Sequence, residues 1–384
     1  MTYLEVLLIF MQKRILILET ELDGHHLEYI NHLFLKAKNS PDQYVFYLPD
    51  KFNQIKDKHL NWEYNENVEI VTYNYENKNT NLISSTYYKT NILLKAIKRE
   101  RITHVFFISL MLFLPSLLFI PSKVKVSGII YSIYLYRWNN SGFLQKCSDV
   151  LKYLFLTTMS CIDKIYILND KNSVRHLNHL YRTNKFLYLV DPFVPIEDKN
   201  VNLEIYNIPI TNVVYFHFGS LSDRKGTIEI LKSLEFVDPE VQKSITLIFA
   251  GKVGQNIKNE FYDLYHKYNK YVQIIVLDYF CDFPLIASFC RRSDILLMPY
   301  KLVSLSSGVI GYAAQFGTPV LSPKQGLIGK LVNYYRLGYV IDSVNSKSIA
   351  SFINEYSKNN KYVVSKKYLE TNTVSAFIDS LDFA

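Results

Sequence analysis

The sequence predicts an α/β protein built from two doubly wound domains, and three observations predict it. Short β-branched or aromatic runs alternate with longer amphipathic stretches along all 384 residues. The short runs are almost continuously apolar, as strands of a parallel sheet covered on both faces must be. The alternation restarts after Asp191–Val201, a stretch with two prolines and mixed charges. Two domains joined near residues 192–212 follow, with expected bounds of 1–195 and 196–384 and the last helix packing back on the first domain. A prior of about 150 residues per domain agrees.

In the first half the strands are expected at Arg14–Leu18, Tyr44–Leu48, Val68–Val71, His104–Ser109, Val126–Ser132, Lys164–Leu168 and Phe186–Leu189. In the second half they are expected at Val213–Phe218, Thr246–Ala250, Val272–Val276, Ile295–Met298, Pro319–Leu321 and Tyr339–Ile341. Residues 51–66 and 74–85, rich in Asn, Lys and Tyr, read as exposed loops. The apolar run Val105–Ile120 is broken by Ser109, Pro115 and Ser116. A spanning helix needs ~20 apolar residues, so this run reads as a buried strand passing into a buried helix. Contact with a membrane surface is the competing reading. No repeat at a solenoid period is present.

Hydrophobic residues make up 49% and charged residues 20% of the chain, which excludes long disorder, collagen and small disulfide scaffolds. Lys and Arg number 43 against 35 Asp and Glu, a net charge of +8. That balance favours anionic partners such as nucleotides, phosphates or an anionic lipid surface. The acids are interspersed and no dense basic block occurs, so nucleic acid is not the expected partner. Cys147, Cys161, Cys281 and Cys290 form no CxxC pair and read as thiols in a reducing compartment. The apolar Met1–Phe10 is interrupted by Gln12, Lys13 and Arg14 with no cleavage site after it, so no secretory signal is expected. Met11 is an alternative start.

Open α/β sheets bind ligands at the carboxyl ends of their strands, and five loops stand there. After the first strand comes Glu19-Thr20-Glu21-Leu22-Asp23-Gly24-His25-His26. Gly24 lets backbone approach a ligand, a helix N-terminus favours an anion, and His25 and His26 suit a sugar hydroxyl or phosphate. A plain glycine turn with a histidine cap is the alternative. The first strand of the second half runs into Gly219-Ser220-Leu221-Ser222-Asp223-Arg224-Lys225-Gly226. Two adjacent cations beside a glycine suit a diphosphate, Arg224 forking two oxygens and Lys225 adding a point charge. A solvated turn is the plainer reading. Farther on, Ser304, Ser306, Ser307 and Gly308 precede an apolar helix, where hydroxyls and free N–H groups converge on a phosphate or merely cap the helix.

Asp278 and Tyr279 follow another strand and either hold a base edge or cap the next helix, and Ser322–Gly329 forms a further glycine-lined wall. The sequence contains no DxD, HExxH, GxSxG or GxGxxG pattern, which speaks against zinc hydrolases, serine esterases and dinucleotide enzymes.

The segments "FHFGSLSDRKGTIEILKSL", "ITLIFAGKVG", "RRSDILLMPY" and "SSGVIGYAAQFGTPVLSPKQGLIGKLV" resemble, in order and spacing, the donor domain of family 4 glycosyltransferases. The resemblance covers about residues 211–345. It implies a GT-B fold, with an N-terminal acceptor-binding and a C-terminal nucleotide-sugar donor-binding Rossmann-like domain. It also implies retaining, metal-independent hexosyl transfer from a UDP-sugar or GDP-sugar, without cofactor. Lys225-Gly226 matches the family's Lys-Gly pair, while Ser220 stands where an Arg is expected and Arg224 substitutes for it. Two family glutamates fall by register on Ser304 and Tyr312, neither a carboxylate.

The expected set is therefore Arg224, Lys225, Ser306, Ser307 and Gly308 on the diphosphate. Gly24, Gly219, Ser220, Gly251, Asp278, Tyr279, Ser304 and Tyr312 are expected around the nucleotide or sugar, with His25 and His26 catalytic. Relatives imply a glycan or lipid-linked acceptor, bacterial surface polysaccharide synthesis, and a cytoplasmic protein peripheral to the inner membrane. A non-catalytic GT-B partner that binds a nucleotide or sugar without transfer is the second reading.

Overall fold

The structure, a computed structural model, describes residues 12–22, 25–59, 62–63, 65–74, 82–304, 306–359 and 362–383. Met11 and Gly24 lie outside these, as does the side chain of His25. The chain divides into two units, Met1–Val190 with Val374–Ala384, and Asp191–Thr373.

The first unit runs β1 (Arg14–Leu18), α1 (His25–Lys38), β2 (Gln43–Pro49), α2 (Lys51–His59), β3 (Val68–Tyr73), α3 (Leu82–Arg99), β4 (His104–Phe107), β5 (Lys125–Ile130), α4 (Phe143–Thr158), β6 (Ile162–Leu168), α5 (Lys171–Leu180) and β7 (Phe186–Leu189). Its sheet has the order β3-β2-β1-β4-β5-β6-β7, and all neighbours are parallel. Alternate residues of β1 serve opposite faces, as the period of two requires. Leu16 and Leu18 pack with Leu93, Phe113 and Tyr153, whereas Ile15 and Ile17 pack with Ile30, Leu33 and Phe34.

The last residues belong to this second face. Phe377, Leu381 and Phe383 are buried in it, the Lys164 ammonium bonds the Asp382 carboxylate at 2.6 Å, and the Tyr166 hydroxyl donates to the Asp382 carbonyl at 2.8 Å.

Two expectations are corrected here. Residues 51–66 are not all loop, because Lys51–His59 is helical and anchors itself through the fully buried Phe52, whose ring lies 5.2 Å from that of Trp62. Residues 74–85 likewise already contain the start of α3 at Leu82, and 75–81 lie outside the described residues. The apolar run after β4 winds as a 3₁₀ helix, Leu110–Phe119, with Pro115 inside it. Leu110, Phe113 and Ser116 are buried at the three-residue period of that helix. Leu118 and Phe119 face solvent. Among the described residues no helix is long and apolar enough to cross a membrane.

The second unit runs β8 (Val213–Phe218), α6 (Thr227–Ser233), β9 (Ile245–Ala250), α7 (Lys258–Tyr268), β10 (Gln273–Leu277), α8 (Phe283–Arg292), β11 (Ile295–Leu297), α9 (Val309–Phe316), β12 (Val320–Pro323), α10 (Gly326–Tyr335), β13 (Gly338–Ile341) and α11 (Ser346–Glu355). Its parallel sheet has the order β10-β9-β8-β11-β12-β13. In each sheet the order reverses beside the unit's first strand, between β1 and β4 and between β8 and β11. Ligand crevices open at such switch points, so the residues that follow β1, β8 and β11 define where to look.

Candidate functional site

In the second unit Gly219 (φ +89°) follows β8, and the chain turns through Ser222 into a short 3₁₀ turn, Asp223–Lys225. Gly226 then adopts the left-handed conformation (φ +71°, ψ 23°) and starts α6. A side chain there would place its Cβ 2.1 Å from the Pro299 carbonyl, so the turn needs glycine. The Lys225 Nζ folds back over the strand end, donating to the Phe218 carbonyl at 3.2 Å and lying 5.4 Å from the centre of the Tyr300 ring. Tyr300 follows β11, so the ammonium bridges the ends of both strands at the switch point.

The turn is held from below. The Lys301 N–H donates to the Arg224 carbonyl at 3.0 Å, and its ammonium pairs with Asp223 at 2.6 Å and Glu229 at 2.7 Å. Burial works against the Lys301 charge, but these two carboxylates outweigh it and raise its pKa. Arg224 itself is exposed. Within β8, His217 is buried between the Leu297 carbonyl (2.9 Å) and the Thr227 hydroxyl (3.0 Å). Burial pushes its pKa down to about 3, so the ring is neutral and ties β11 to the start of α6.

The serine loop comes next. The Ser307 hydroxyl lies 3.4 Å from the Tyr300 hydroxyl and 3.4 Å from the Val309 N–H. Ser306 Oγ is buried without a hydrogen-bond partner, and Gly308 is the N-cap of α9. A buried hydroxyl with no partner costs free energy and is what a ligand oxygen can satisfy. Lys225, Ser306, Ser307 and Gly308 thus stand on two loops joined through Tyr300.

Gly251 (φ +136°) follows β9, and a Cβ there would lie 1.9 Å from the Gly219 carbonyl. Asp278 accepts from the Val253 N–H at 2.7 Å and the Tyr262 hydroxyl at 3.0 Å. Burial opposes its charge, yet these bonds and Lys258 hold its pKa below the ordinary value. Both carboxylate oxygens therefore close the loop after β9; the cap of α8 is Asp282, which accepts from the Leu285 N–H at 3.1 Å. Tyr279 and Ser220 are exposed and Ser304 is buried. The Tyr312 ring stands edge-on to Phe218 (5.4 Å) and Phe193 (5.3 Å).

In the first unit, β1 is followed by Glu19, which is fully buried. Its Oε1 accepts from the N–H groups of Thr20 (2.7 Å) and Glu21 (3.0 Å), and its Oε2 lies 3.0 Å from His26 Nδ1. In this contact the carboxylate oxygen accepts and His26 Nδ1 donates. The Glu21 carboxylate lies 3.7 Å from Nε2, and the Tyr131 ring is 6.4 Å away. Glu19 was not among the expected site residues. The signal was an acid ending an apolar strand seven residues before a histidine. Among the described residues no group of three or more His, Cys, Asp and Glu is placed to hold a metal.

Two parallel six- and seven-stranded sheets, each switching order beside its first strand, define the GT-B fold. Solved structures share it. The Anabaena protein HepE, in complex with UDP and glucose, is 15% identical with a TM-score of 0.66, over 96% of this chain and 98% of that one. WaaG, a glycosyltransferase involved in lipopolysaccharide biosynthesis, is 15% identical with a TM-score of 0.62, over 96% of both chains. A glycosyltransferase from Rickettsia africae is 12% identical with a TM-score of 0.61, again over 96% of both. No curated protein matches the sequence. Residues 198–371 match the family described as glycosyl transferases group 1.

Proposed function

We propose that the protein transfers a hexose from a UDP-sugar or GDP-sugar to a hydroxyl of a glycan or lipid-linked acceptor in bacterial surface polysaccharide synthesis. The observation that carries this is that Lys225 and Ser307 both stand at Tyr300 by the β8–β11 switch point, with the neighbouring Ser306 hydroxyl buried and unsatisfied. The leaving group is a nucleoside diphosphate whose negative charge grows as the C–O bond breaks. Lys225, the exposed Arg224 and the α9 N-terminus at Ser306–Gly308 stabilise that charge, which is where electrostatic catalysis acts most strongly. No metal is needed for this, and retention of configuration is what the resemblance implies, a diphosphate oxygen taking the acceptor proton. Gly219 and Gly251 line the approach, and Tyr312 sits beside the sugar or ribose. In the first unit, His26 meets a sugar hydroxyl rather than a phosphate: Glu19 and Glu21 both stand next to its ring, and two carboxylates repel a diphosphate.

Thermal shift against UDP, GDP, ADP, CMP and their common sugars tests the reading. A ligand at 100 times its dissociation constant adds about 2.7 kcal/mol, a few degrees for a chain of this length. One diphosphate is expected to shift the melting temperature, and Lys225→Ala to remove the shift. If no nucleotide shifts the transition, the donor site is wrong.

The non-catalytic reading rests on Ser304 and Tyr312, which offer no carboxylate where the family resemblance places one. It predicts nucleotide binding without turnover of any sugar donor.

A further inference from the structure

Helix α4 is apolar on two sides. One side packs Tyr153 and Leu156 into the core. The other carries Leu144, Cys147, Leu151 and Leu154 at helical three- and four-residue spacing, with Phe143 beside them, and it faces solvent. Leu144 is 83% exposed, Phe143 78% and Leu151 63%. Such a stripe on an ordinary surface helix would be polar. The 3₁₀ helix Leu110–Phe119 buries Leu110, Phe113 and Leu117 in the same core cluster as α4 and exposes Leu112, Leu118 and Phe119. Just before α4, Trp138 is partly exposed with the Lys146 ammonium 5.2 Å from its ring centre.

The charges around this face have one sign. Residues 121–162 contain Lys123, Lys125, Arg137, Lys146 and Lys152, and a single carboxylate, Asp149. Asp149 is buried and spent internally, accepting from the Arg137 guanidinium at 2.7 Å and the Gln145 amide at 3.0 Å. Solvent therefore meets an apolar stripe, an indole and cations.

We propose that this face of the first unit lies on an anionic lipid surface, with Phe143, Leu144, Leu151 and Leu154 entering the acyl boundary and Lys146 and Lys152 meeting the headgroups. The composition is that of an interfacial helix: apolar side chains and tryptophan inward, cations at headgroup level. A second copy of the chain fits less well. A two-fold contact along the stripe would set Lys146 and Lys152 against their own copies with no exposed acid among residues 121–162 to answer them. The proposal does not depend on the donor site and stands if that reading fails.

Cys147 supplies the probe. It is the exposed cysteine, while burial raises the thiol pKa of Cys161, Cys281 and Cys290 and slows their reaction. The full chain, labelled at Cys147 with an environment-sensitive dye, is expected to blue-shift with phosphatidylglycerol vesicles and much less with phosphatidylcholine vesicles. Unlabelled protein is expected to co-sediment with the same selectivity and to be released by salt. Replacing Leu144→Glu and Leu151→Glu together, both solvent-facing, is expected to lower partitioning at least about tenfold with an unchanged circular-dichroism spectrum. Failure of the wild type to bind the anionic vesicles overturns the proposal, as does undiminished binding by a folded double variant. A wild-type dimer that the double variant turns into a monomer, without vesicle binding, also overturns it and makes the stripe a self-association face.

Discussion

The Glu19 carboxylate accepts three hydrogen bonds, two from backbone and one from His26, and a glutamine side chain of the same shape cannot accept all three. In Glu19→Gln the amide oxygen keeps the two backbone N–H groups and the NH₂ faces Nδ1, which must then accept. The proton is expected to leave Nδ1, with Nε2 the protonated nitrogen, and ¹⁵N spectra of the imidazole read this directly. An unchanged pattern would mean that Glu19 does not set the ring. The sequence could name His26 but not Glu19, because only the turn after β1 brings residues seven apart into contact. Buried histidines give a second prediction. Burial lowers the pKa of His32 and His104 from 6.5 to about 4 and that of His217 to about 3. Below pH 6.5 the unfolded chain takes up protons that the folded one refuses, so stability falls as pH drops toward 4. Each histidine contributes up to about 1.4 kcal/mol per pH unit. Urea midpoints at pH 7, 6 and 5 check this, and a flat series would contradict it.

Strands were the legible elements. A run such as Ile15–Leu18 buries every side chain, so its apolarity shows through any local context. Helix α2 was hidden because, among its described side chains, only Phe52 is fully buried in a polar segment, and composition reads that as loop. The 3₁₀ winding of Leu110–Phe119 was equally hidden, since an all-apolar run carries no period. In the candidate site the loops were legible from Gly219, Lys225 and the serines. Their support was not, because Lys301 reaches Asp223 and Glu229 across 78 and 72 positions of sequence. Removing it tests whether the turn depends on that clamp. Lys301→Met leaves Asp223 and Glu229 unanswered beside Arg224 and Lys225, and nucleotide affinity is expected to fall about tenfold, of the order that coupled charges carry. Calorimetry with the diphosphate that binds the wild type measures it. An unchanged affinity would mean that the turn holds itself.

At the scale of the molecule, the second unit is one continuous stretch and the first is not. Its core includes Phe377, Leu381 and Phe383, which come after the whole second unit in sequence. Ending the chain at Thr373 removes three buried side chains, each worth about 1.5–3 kcal/mol of burial. The first unit is expected to melt at lower temperature while the second keeps its transition, which calorimetry of the truncated chain resolves. The same return sets an order of events on the ribosome. Residues 191–373 hold every strand of their sheet as soon as they emerge, whereas the earlier half must wait, its second face covered only in part, for residues 374–383 to be made. The sheet that begins first is therefore the one completed later, and a chain stalled before residue 374 leaves Tyr44, His104 and Phe106 without the Phe383 ring against them.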